Sequence, residues 1–542
     1  MITTKKMQLT KGKLSLHVPF FISGELAEEA ALLLTACARK LVVASADSGA
    51  AEHQGIPMLI STDRCLAAEG YRLRITPAGV DIACRDRNGL RNALVTLSQA
   101  LQMDSGVYTL PCLEAEDWPE SPFRCMLIDM AREYIEPQRV KEILRRMAMA
   151  KMNKAIFHLM DSAHYALQSH RYPQLNRSPL RQYTPQEMQE LVEYAAFWGI
   201  DAIPSLDFPA HATHLLDCMP EFACRVDDSF KPSQWALCIG NEELYPFIEN
   251  LYQEVYTVFD SSFMNLSGDE LEFLDIRTQD LWVNWEHCAV CRELCRREHI
   301  HGKREIFYSF IRRVHTILER MGKRMIMGND NIDIASSPAI PRDILIFWWR
   351  VPAPGRGPWE GCSMERYLEE GFELLNCDYP ECYIDLYMTD EKLADWNPLK
   401  RPFCPPSYEK QVLGSCLCAW EGKTHFSWTL PSGIQMFGEK LWDHRDQAYD
   451  TVYRRELTRR VLGPDTPEGL DVFTPLGGCL LPQDEDAARM GYPDHVSRDQ
   501  LPLLEETAAQ LAAYRSAGGR EDHLADIYIR CLEWMRKQVT NR

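Results

Sequence analysis

The sequence predicts an α/β protein built on a (β/α)8 TIM barrel, with a small α/β domain before it and a helical region after it. Between about residues 124 and 418, short apolar runs alternate with stretches of helical periodicity, which is typical of βα units. Eight strands alternating with helices over roughly 300 residues fit a closed barrel better than an open sheet. We therefore expect an N-terminal domain at residues 1–120, the barrel at 121–430 and a mostly helical region at 431–542.

The predicted barrel strands are short apolar runs separated by helical segments. They are, in order, Cys125–Met130, Ala155–Leu159, Ile200–Asp207, Phe263–Gly268, Arg324–Met327, Ile344–Trp348, Glu373–Leu375 and Val412–Leu417. The clearest helix between them has Thr184 as its N-cap, Pro185 in its first turn and Glu187 completing a capping box. Gly199 ends this helix, because glycine readily adopts the left-handed conformation that follows a last helical turn.

The regions before and after the barrel have their own patterns. Before it, a helix rich in Ala and Leu is predicted at Glu25–Lys40. Two strands, Tyr71–Thr76 and Val80–Cys84, are joined by a Pro-Ala-Gly turn. After the barrel, helical spacing begins near Pro431, and a closing helical pattern runs from Leu501 to Arg536.

Composition and charge exclude several classes of function. The chain of 542 residues has 59 basic and 78 acidic side chains, which gives a formal charge of −19. An acidic chain of this size is a poor candidate for binding nucleic acid or anionic membranes, and no apolar run reaches membrane-spanning length. Nineteen cysteines without a secretory signal predict reduced thiols and a cytoplasmic location. The sequence leaves the oligomeric state open.

Two adjacent carboxylates, Asp269 and Glu270, end the fourth predicted strand after a glycine. Side chains alternate along an extended backbone, so one carboxylate can face a reacting atom while the other holds a group beside it. Two carboxyl groups in different environments can also have different pKa values. One can then be protonated and act as an acid while the other is ionised and acts as a base. Solvated acids at a strand end are the competing interpretation.

Polar and aromatic residues follow most of the other predicted strands. In barrels of this type the active site lies at the carboxyl ends of the strands. A single tryptophan or histidine there is usually a packing or hydrogen-bonding residue, but repetition after nearly every strand is harder to explain by packing. These residues are Asp129, Arg132, His158, Asp161, Asp207, His211, Trp348, Trp349, Tyr383, Asp385, Trp420 and Glu421.

Short motifs run through residues 65–422 in a characteristic order. They are Glu69–Leu73, Asn88–Leu90, Asp117–Pro119, Phe123–Arg132, His158–Asp161, Tyr172–Pro173, Pro204–Ala212, Ser267–Glu270, Tyr383–Asp385 and Leu413–Trp420. Each motif alone is weak, but the ordered set is specific and resembles glycoside hydrolase family 20, the β-N-acetylhexosaminidases. In this comparison Phe123–Arg132 is similar to the family's first barrel strand, and Glu69–Leu73 looks like part of its small α/β domain.

The resemblance implies an exo-acting enzyme that removes terminal β-linked N-acetylglucosamine or N-acetylgalactosamine. The family departs from the two-carboxylate scheme of most glycosidases, because the substrate's own 2-acetamido oxygen is the nucleophile. Glu270 is then expected to be the general acid and, later, the base that activates water. Asp269 would orient the acetamide N–H and stabilise the developing positive charge, and Tyr383 would donate a hydrogen bond to the acetamide oxygen.

The resemblance also implies a set of substrate contacts and no cofactor. Trp349 and Trp420 would wall the acetamide pocket and the sugar face, while Asp161 and His211 would support the acid. The full set of expected binding residues is Arg132, Asp161, His211, Trp349, Asp385, Trp420 and Glu421. The expected partner is a small carbohydrate or glycan, and no metal is expected at this site.

Several positions depart from the family pattern. Ser267 stands where the family often has the first glycine of His-x-Gly-Gly-Asp-Glu, and Ser205 and Gly422 replace expected glutamates. The tryptophan expected after strand five is missing, and Gly328-Asn329 takes its place. This gap predicts either a subsite enlarged for a substituted sugar or a replacement by another indole, such as Trp348 or Trp359. The alternatives are therefore the same fold acting on a modified sugar or disaccharide, or a non-catalytic carbohydrate-binding barrel.

A cysteine-rich segment forms a separate candidate. Cys288, Cys291 and Cys295, with His299 and His301, have partial zinc-ligand spacing. No second Cys-x-x-Cys pair follows them, so reduced thiols near a helix start are the favoured interpretation.

Overall fold

The structure is a computed structural model that describes most of the chain. The described residues are 5–38, 43–44, 55–104, 106–178, 180–226, 234–271, 285–334, 338–351, 363–379, 381–384, 390–399, 404–420, 429–446, 448–476, 498–519 and 521–540.

The N-terminal region is a mixed sheet with two helices. Its strands are β1 Lys6–Ser15, β2 Phe20–Gly24, β3 Val43–Ala44, β4 Ile56–Thr62, β5 Tyr71–Thr76, β6 Gly79–Cys84, β7 Gln102–Asp104 and β8 Val107–Asp117. They lie in the order β1-β8-β5-β6-β4-β2-β3, with β7 paired to β8. Helices α1 (Ala27–Cys37) and α2 (Arg87–Ala100) pack against each other and against this sheet. The predicted hairpin is confirmed, because β5 and β6 pair antiparallel with Thr76 opposite Gly79.

A closed parallel barrel follows, and it confirms all eight predicted strands. Its strands are β9 Phe123–Asp129, β10 Lys154–Asp161, β12 Asp201–Leu206, β13 Phe263–Ser267, β14 Arg324–Gly328, β15 Leu345–Trp348, β16 Glu373–Asn376 and β17 Val412–Ala419. Each strand pairs with the next, and β9 pairs with both β10 and β17, so the sheet has no free edge. The two-residue strand β11 (His164–Tyr165) forms a short antiparallel extension of β10. Because all eight strands are parallel, their carboxyl ends open onto one rim.

Helices surround the barrel and build the region after it. They are α3 Pro137–Met149, α4 Pro185–Phe197, α5 Thr213–Cys218, α6 Leu244–Val255, α7 Ala289–Glu298, α8 Lys303–Arg320, α9 Met364–Glu369, α10 Asp390–Asp395, α11 Thr429–Trp442, α12 Thr451–Leu462, α13 Phe473–Leu476, α14 Leu501–Ser516 and α15 Asp522–Thr540. The capping box of α4 is present as predicted, since Thr184 Oγ1 accepts from the Glu187 N–H at 3.1 Å and the Glu187 carboxylate accepts from the Thr184 N–H at 2.9 Å. Within the described ranges, none of these helices combines the length and apolar character needed to cross a bilayer.

The closing helical pattern is two helices rather than one. The chain leaves α14 through Gly518, whose φ of 70° lies in the left-handed region, and it re-enters a helix at Asp522. Glycine favours that conformation because it has no Cβ.

A buried polar network joins the N-terminal sheet to the barrel. Glu69 Oε2 lies 2.6 Å from Arg124 Nη2 on β9, and Glu69 Oε1 accepts from Asn153 Nδ2 at 2.9 Å. Asp117, at the end of β8, accepts from Lys151 Nζ at 3.2 Å and from Trp442 Nε1 at 2.9 Å. These side chains are largely buried, so the charges are satisfied inside the protein rather than by water.

Candidate active site

Asp269 and Glu270 lie at the barrel rim directly after β13, on a turn in which three of four consecutive residues adopt the left-handed conformation. Ser267, Gly268 and Glu270 have φ values of 65°, 76° and 52°. Left-handed conformations at residues other than glycine are uncommon and tend to occur where a site fixes a side chain. The side chain of Asp269 is 12% exposed and that of Glu270 is 35% exposed, so the two adjacent acids have different access to solvent.

A carboxylate–histidine–carboxylate chain runs behind Glu270. His211, on the loop after β12, has Nε2 3.4 Å from Glu270 Oε2 and Nδ1 3.2 Å from Asp161 Oδ1. Asp161, at the end of β10, is itself held by His158 Nε2 at 3.0 Å and by Arg132 Nη2 at 2.9 Å. The structure therefore brings the predicted supporting pair, Asp161 and His211, to the predicted acid.

The charge states of this chain follow from its surroundings. Burial disfavours ionisation of Asp161, but His211 and His158 outweigh burial and hold the pKa of Asp161 well below its ordinary value. Burial also disfavours the imidazolium of His211, but the nearby carboxylates Asp207, Asp269 and Asp161 together raise the pKa of His211 well above its ordinary value. Burial, and next the charge of Asp269, raise the pKa of Asp207 well above that of a free carboxyl. The lowered pKa of Asp161 and the raised pKa of His211 both favour an ionised Asp161–His211 pair.

Arg132 reaches the rim from the loop after β9. Asp129 Oδ2 accepts from Arg132 Nη1 at 3.0 Å, while the other Asp129 oxygen accepts from the backbone N–H of Arg132 at 3.1 Å. The guanidinium lies 5.3 Å from the Trp420 ring. Its side chain remains 26% exposed, so Arg132 can donate to a sugar hydroxyl while it is held in place.

Three aromatic side chains form one wall of the site. The Trp349 ring centroid lies 6.1 Å from that of Trp420 and 6.4 Å from that of Tyr383. His158 packs edge-on against Trp420 at 5.0 Å. Apolar faces of this kind pack against the C–H face of a sugar ring, and the phenol hydroxyl of a tyrosine can donate a hydrogen bond.

The indole of Trp349 lies beside Gly328, in the space that was expected to be open because the strand-five tryptophan is missing. A Cβ placed on Gly328 would be 3.0 Å from Trp349 Cζ2. Trp349 Nε1 donates to Asp330, and Trp349 N donates to Asn329 Oδ1 at 3.1 Å. Trp348 is fully buried, and Trp359 lies outside the described residues.

Of the predicted site residues, eight are described and all eight lie at this rim. They are Arg132, Asp161, His211, Asp269, Glu270, Trp349, Tyr383 and Trp420. Asp385 and Glu421 were predicted to bind substrate, and both lie outside the described residues, as does Gly422.

Two residues of the site were missed from the sequence. Trp235 donates from Nε1 to the backbone oxygen of Glu270 at 2.9 Å, and its ring packs 4.3 Å from that of His211. Asp330 is buried beneath Trp349, and burial raises its pKa to about 6 although Arg350 opposes the shift. Trp235 follows no predicted strand, so its position gave no signal. Asp330 did follow one, and its place two residues after β14 could have suggested it.

Comparison with known proteins identifies the family. Residues 121–421 match the family model described as Glycosyl hydrolase family 20, catalytic domain, and residues 4–118 match Glycosyl hydrolase family 20, domain 2. The chain belongs to glycosyl hydrolase family 20. The family 20 resemblance inferred from the motifs is thereby confirmed.

Relatives of the chain include a beta-hexosaminidase from Akkermansia muciniphila, 30% identical over 59% of this chain and 65% of that protein. A beta-hexosaminidase from Porphyromonas gingivalis is 26% identical over 68% of this chain and 50% of that protein. The chain thus spans less than two thirds of the length of these two relatives.

Solved structures of two other proteins share the fold. A GH20 exo β-N-acetylglucosaminidase from Vibrio harveyi, in complex with N-acetylglucosamine, aligns with a TM-score of 0.71 at 18% identity, covering 84% of this chain and 75% of that one. A β-N-acetylhexosaminidase from Bacteroides fragilis aligns with a TM-score of 0.70 at 22% identity, covering 85% and 94% of the two chains. These alignments confirm the predicted (β/α)8 barrel with a separate N-terminal domain.

Proposed function

We propose that this protein is an exo-acting β-N-acetylhexosaminidase that removes terminal N-acetylglucosamine or N-acetylgalactosamine with retention, using the substrate's acetamide as nucleophile. The observation that carries the proposal is the contact of Glu270 with the Asp161–His211 pair, beside Asp269 and on the same rim as the aromatic wall, which Arg132 links to Asp161. Two relatives that are named beta-hexosaminidase support the same reaction.

In the first step, the acetamide oxygen attacks the anomeric carbon and the bond to the leaving group breaks. Glu270 gives its proton to the leaving oxygen and becomes a carboxylate. The His211 cation at 3.4 Å stabilises that new negative charge, while Asp161 holds the imidazole in place. Asp269 Oδ1 is buried and has no hydrogen-bond partner within the described residues, so it is available to accept the acetamide N–H.

In the second step, water opens the oxazolinium intermediate. The Glu270 carboxylate takes a proton from that water, which regenerates the acid. Its partial exposure gives water a route to the carboxylate, whereas the better-buried Asp269 stays beside the acetamide. The aromatic wall of Trp349, Tyr383 and Trp420 covers the sugar and excludes other nucleophiles.

The test is Glu270→Gln, assayed on an unactivated disaccharide and on an aryl N-acetylglucosaminide with a good leaving group. Loss of general acid help should lower turnover of the disaccharide by about 10²–10⁴-fold and should affect the activated substrate less. Glu293→Gln is the matched control, because that side chain pairs with Arg296 on the exposed face of α7. Near wild-type turnover of the disaccharide by Glu270→Gln would remove Glu270 from this role. No turnover of either substrate by the wild type would favour a carbohydrate-binding barrel.

We also propose a cytoplasmic location. Support comes from buried free thiols such as Cys125, Cys377 and Cys416, since reduced cysteines in this number are typical of reducing compartments. Fractionation of the native host with an antibody against this protein would test the location.

A further inference from the structure

Four cysteine side chains from three segments meet in one buried cluster beside the active-site loops. They are Cys224, Cys238, Cys288 and Cys291, and none is more than 2% exposed. Their sulfur atoms all lie within 4.8 Å of one another. Cys238 Sγ is 3.6 Å from both Cys288 Sγ and Cys291 Sγ.

These separations fit metal ligation and do not fit a disulfide. A disulfide bond would bring two sulfurs to about 2.05 Å. Four thiolates at about 2.3 Å from a tetrahedral zinc ion lie about 3.8 Å from one another. The observed 3.6 Å contacts match the second geometry, and the cluster supplies the four ligands of a closed structural site.

The local backbone shapes this cluster. Cys288 is the N-cap of α7 and Cys291 lies in its first turn, where the positive end of the helix dipole favours thiolates. Gly240 brings the other segment close, because a Cβ at that position would lie 2.8 Å from Cys291 Cα. The backbone bond from Cys238 N to Phe222 O, at 2.8 Å, fixes the Cys238 segment against the residues just before Cys224.

We propose that Cys224, Cys238, Cys288 and Cys291 bind one structural Zn²⁺ ion. Four thiolates in tetrahedral geometry select zinc or iron among biological metals, and zinc is the usual ion of closed four-cysteine sites outside electron transfer. The sequence had suggested a different set. Cys295 lies outside the cluster, and His299 and His301 are exposed. Cys224 and Cys238 are 14 positions apart, so no Cys-x-x-Cys pair pointed to them.

The site connects the loop after β12 to the segment after β13. Trp235, three residues before Cys238, donates to the Glu270 backbone oxygen and packs on His211. On the other side, Trp285, three residues before Cys288, donates from Nε1 to Leu237 O at 2.8 Å. The ion therefore fixes the base of the loop that positions Trp235 against Glu270, and it takes no part in the reaction itself.

The experiment measures metal in the full-length protein, purified under reducing conditions without added metal. We expect one equivalent of zinc per chain by plasma mass spectrometry. Cys238→Ser and Cys288→Ser should lose that equivalent, whereas Cys295→Ser, one turn further along α7, should keep it. Replacement by Co²⁺ should give the thiolate-to-cobalt charge-transfer absorption of a tetrahedral sulfur site.

A second measurement covers variants that fail to fold. Titration of the native wild type with an organomercurial should release zinc as four thiols react. Wild type that holds no stoichiometric zinc, both as purified and after incubation with zinc chloride and gel filtration, would overturn the site. Equimolar iron in its place would overturn the choice of ion. Equal zinc loss in Cys295→Ser would overturn the ligand set. None of these readouts depends on glycosidase activity, so the zinc site and the proposed reaction can fail separately.

Discussion

At the scale of single residues, Ser267 combines two unfavourable features. Its φ of 65° places a residue with a Cβ in the left-handed region, and its buried Oγ has no hydrogen-bond partner among the described residues. Ser267→Gly removes both, so we expect the variant to be more stable by about 1 kcal/mol. Urea unfolding followed by circular dichroism would measure the difference. Ser267→Ala is the control, since it removes the hydroxyl but keeps the strained backbone, and it should gain less than the glycine variant.

His211 makes stability depend on pH in a defined direction. Its pKa is raised well above the ordinary value near 6.5, so its contribution to stability is complete below about pH 6.5 and is lost as pH rises through the folded-state pKa. We therefore expect the Tm difference between wild type and His211→Asn to be largest near pH 6 and to shrink at higher pH. His315→Asn, which breaks a surface pair with Asp343, is the matched control. Parallel curves for wild type and His211→Asn would contradict the proposed charge state.

Most residues of the site that lie within a few positions of a strand end could be predicted, with Asp330 as the exception, and Trp235, which lies far from any strand end, could not. Asp161, His211, Asp269 and Glu270 were found because barrel geometry brings strand ends together whatever the intervening sequence. Trp235 was missed because it reaches Glu270 from a loop, and the conformation of a loop leaves no periodic pattern in the sequence. In the cysteine cluster, Cys288 and Cys291 were candidates from their spacing, whereas Cys224 and Cys238 were missed for the same reason as Trp235.

At the scale of elements, a tryptophan that follows β15 packs against β14, and this contact affects which sugars the site can accept. The enlarged subsite predicted from Gly328 needs free space beside β14, but the Trp349 indole from the end of β15 lies against that glycine. We therefore expect plain aryl N-acetylglucosaminide to be a better substrate than 4- or 6-substituted analogues. A kcat/KM panel that includes galacto-configured glycosides would measure this order.

The same panel, measured on Trp349→Ala, tests whether the Trp349 indole fills the space beside Gly328. Loss of this buried aromatic should lower kcat/KM on the plain substrate by about tenfold or more, and substituted sugars should be affected less. If a substituted sugar is the best substrate of the wild type, the enlarged-subsite hypothesis holds despite the indole.

Elements were predictable to the extent that apolar spacing alone defines them. The barrel strands are buried on both faces, so each appears as a continuous apolar run. The predicted helix at residues 25–40 corresponds to α1, which covers Ala27–Cys37, while residues 39 and 40 lie outside the described residues. The break between α14 and α15 was overlooked although Gly518 and Gly519 signal it, since consecutive glycines are typical of turns.

At the scale of the whole molecule, the Glu69–Arg124 pair holds the N-terminal sheet on the barrel. Arg124 is fully buried and Arg91 lies 3.8 Å from the same carboxylate, so Glu69→Gln leaves buried positive charge uncompensated. Breaking a buried pair typically costs about 3–5 kcal/mol, and we expect a loss near the lower figure because Gln can still hydrogen-bond.

The exposed pair Lys13–Asp104 provides the comparison for that variant. Its side chains are each 51% exposed, and Lys13→Gln should change stability by only about 0–1 kcal/mol. Both variants would be measured by denaturant unfolding. Equal losses in the two would show that the Glu69 contact contributes little to docking of the N-terminal domain.

The pairing that closes the barrel imposes an order on biosynthesis. In the register of β17 and β9, Gly414 lies opposite Phe123, so the closing strands are 414 − 123 = 291 residues apart. At ribosomal rates of about 5–20 residues per second, β9 waits about 15–60 s for its second neighbour. During that time its free edge and apolar residues are exposed to other nascent chains. The yield of folded protein should therefore depend on translation speed and on chaperones that cover an open barrel.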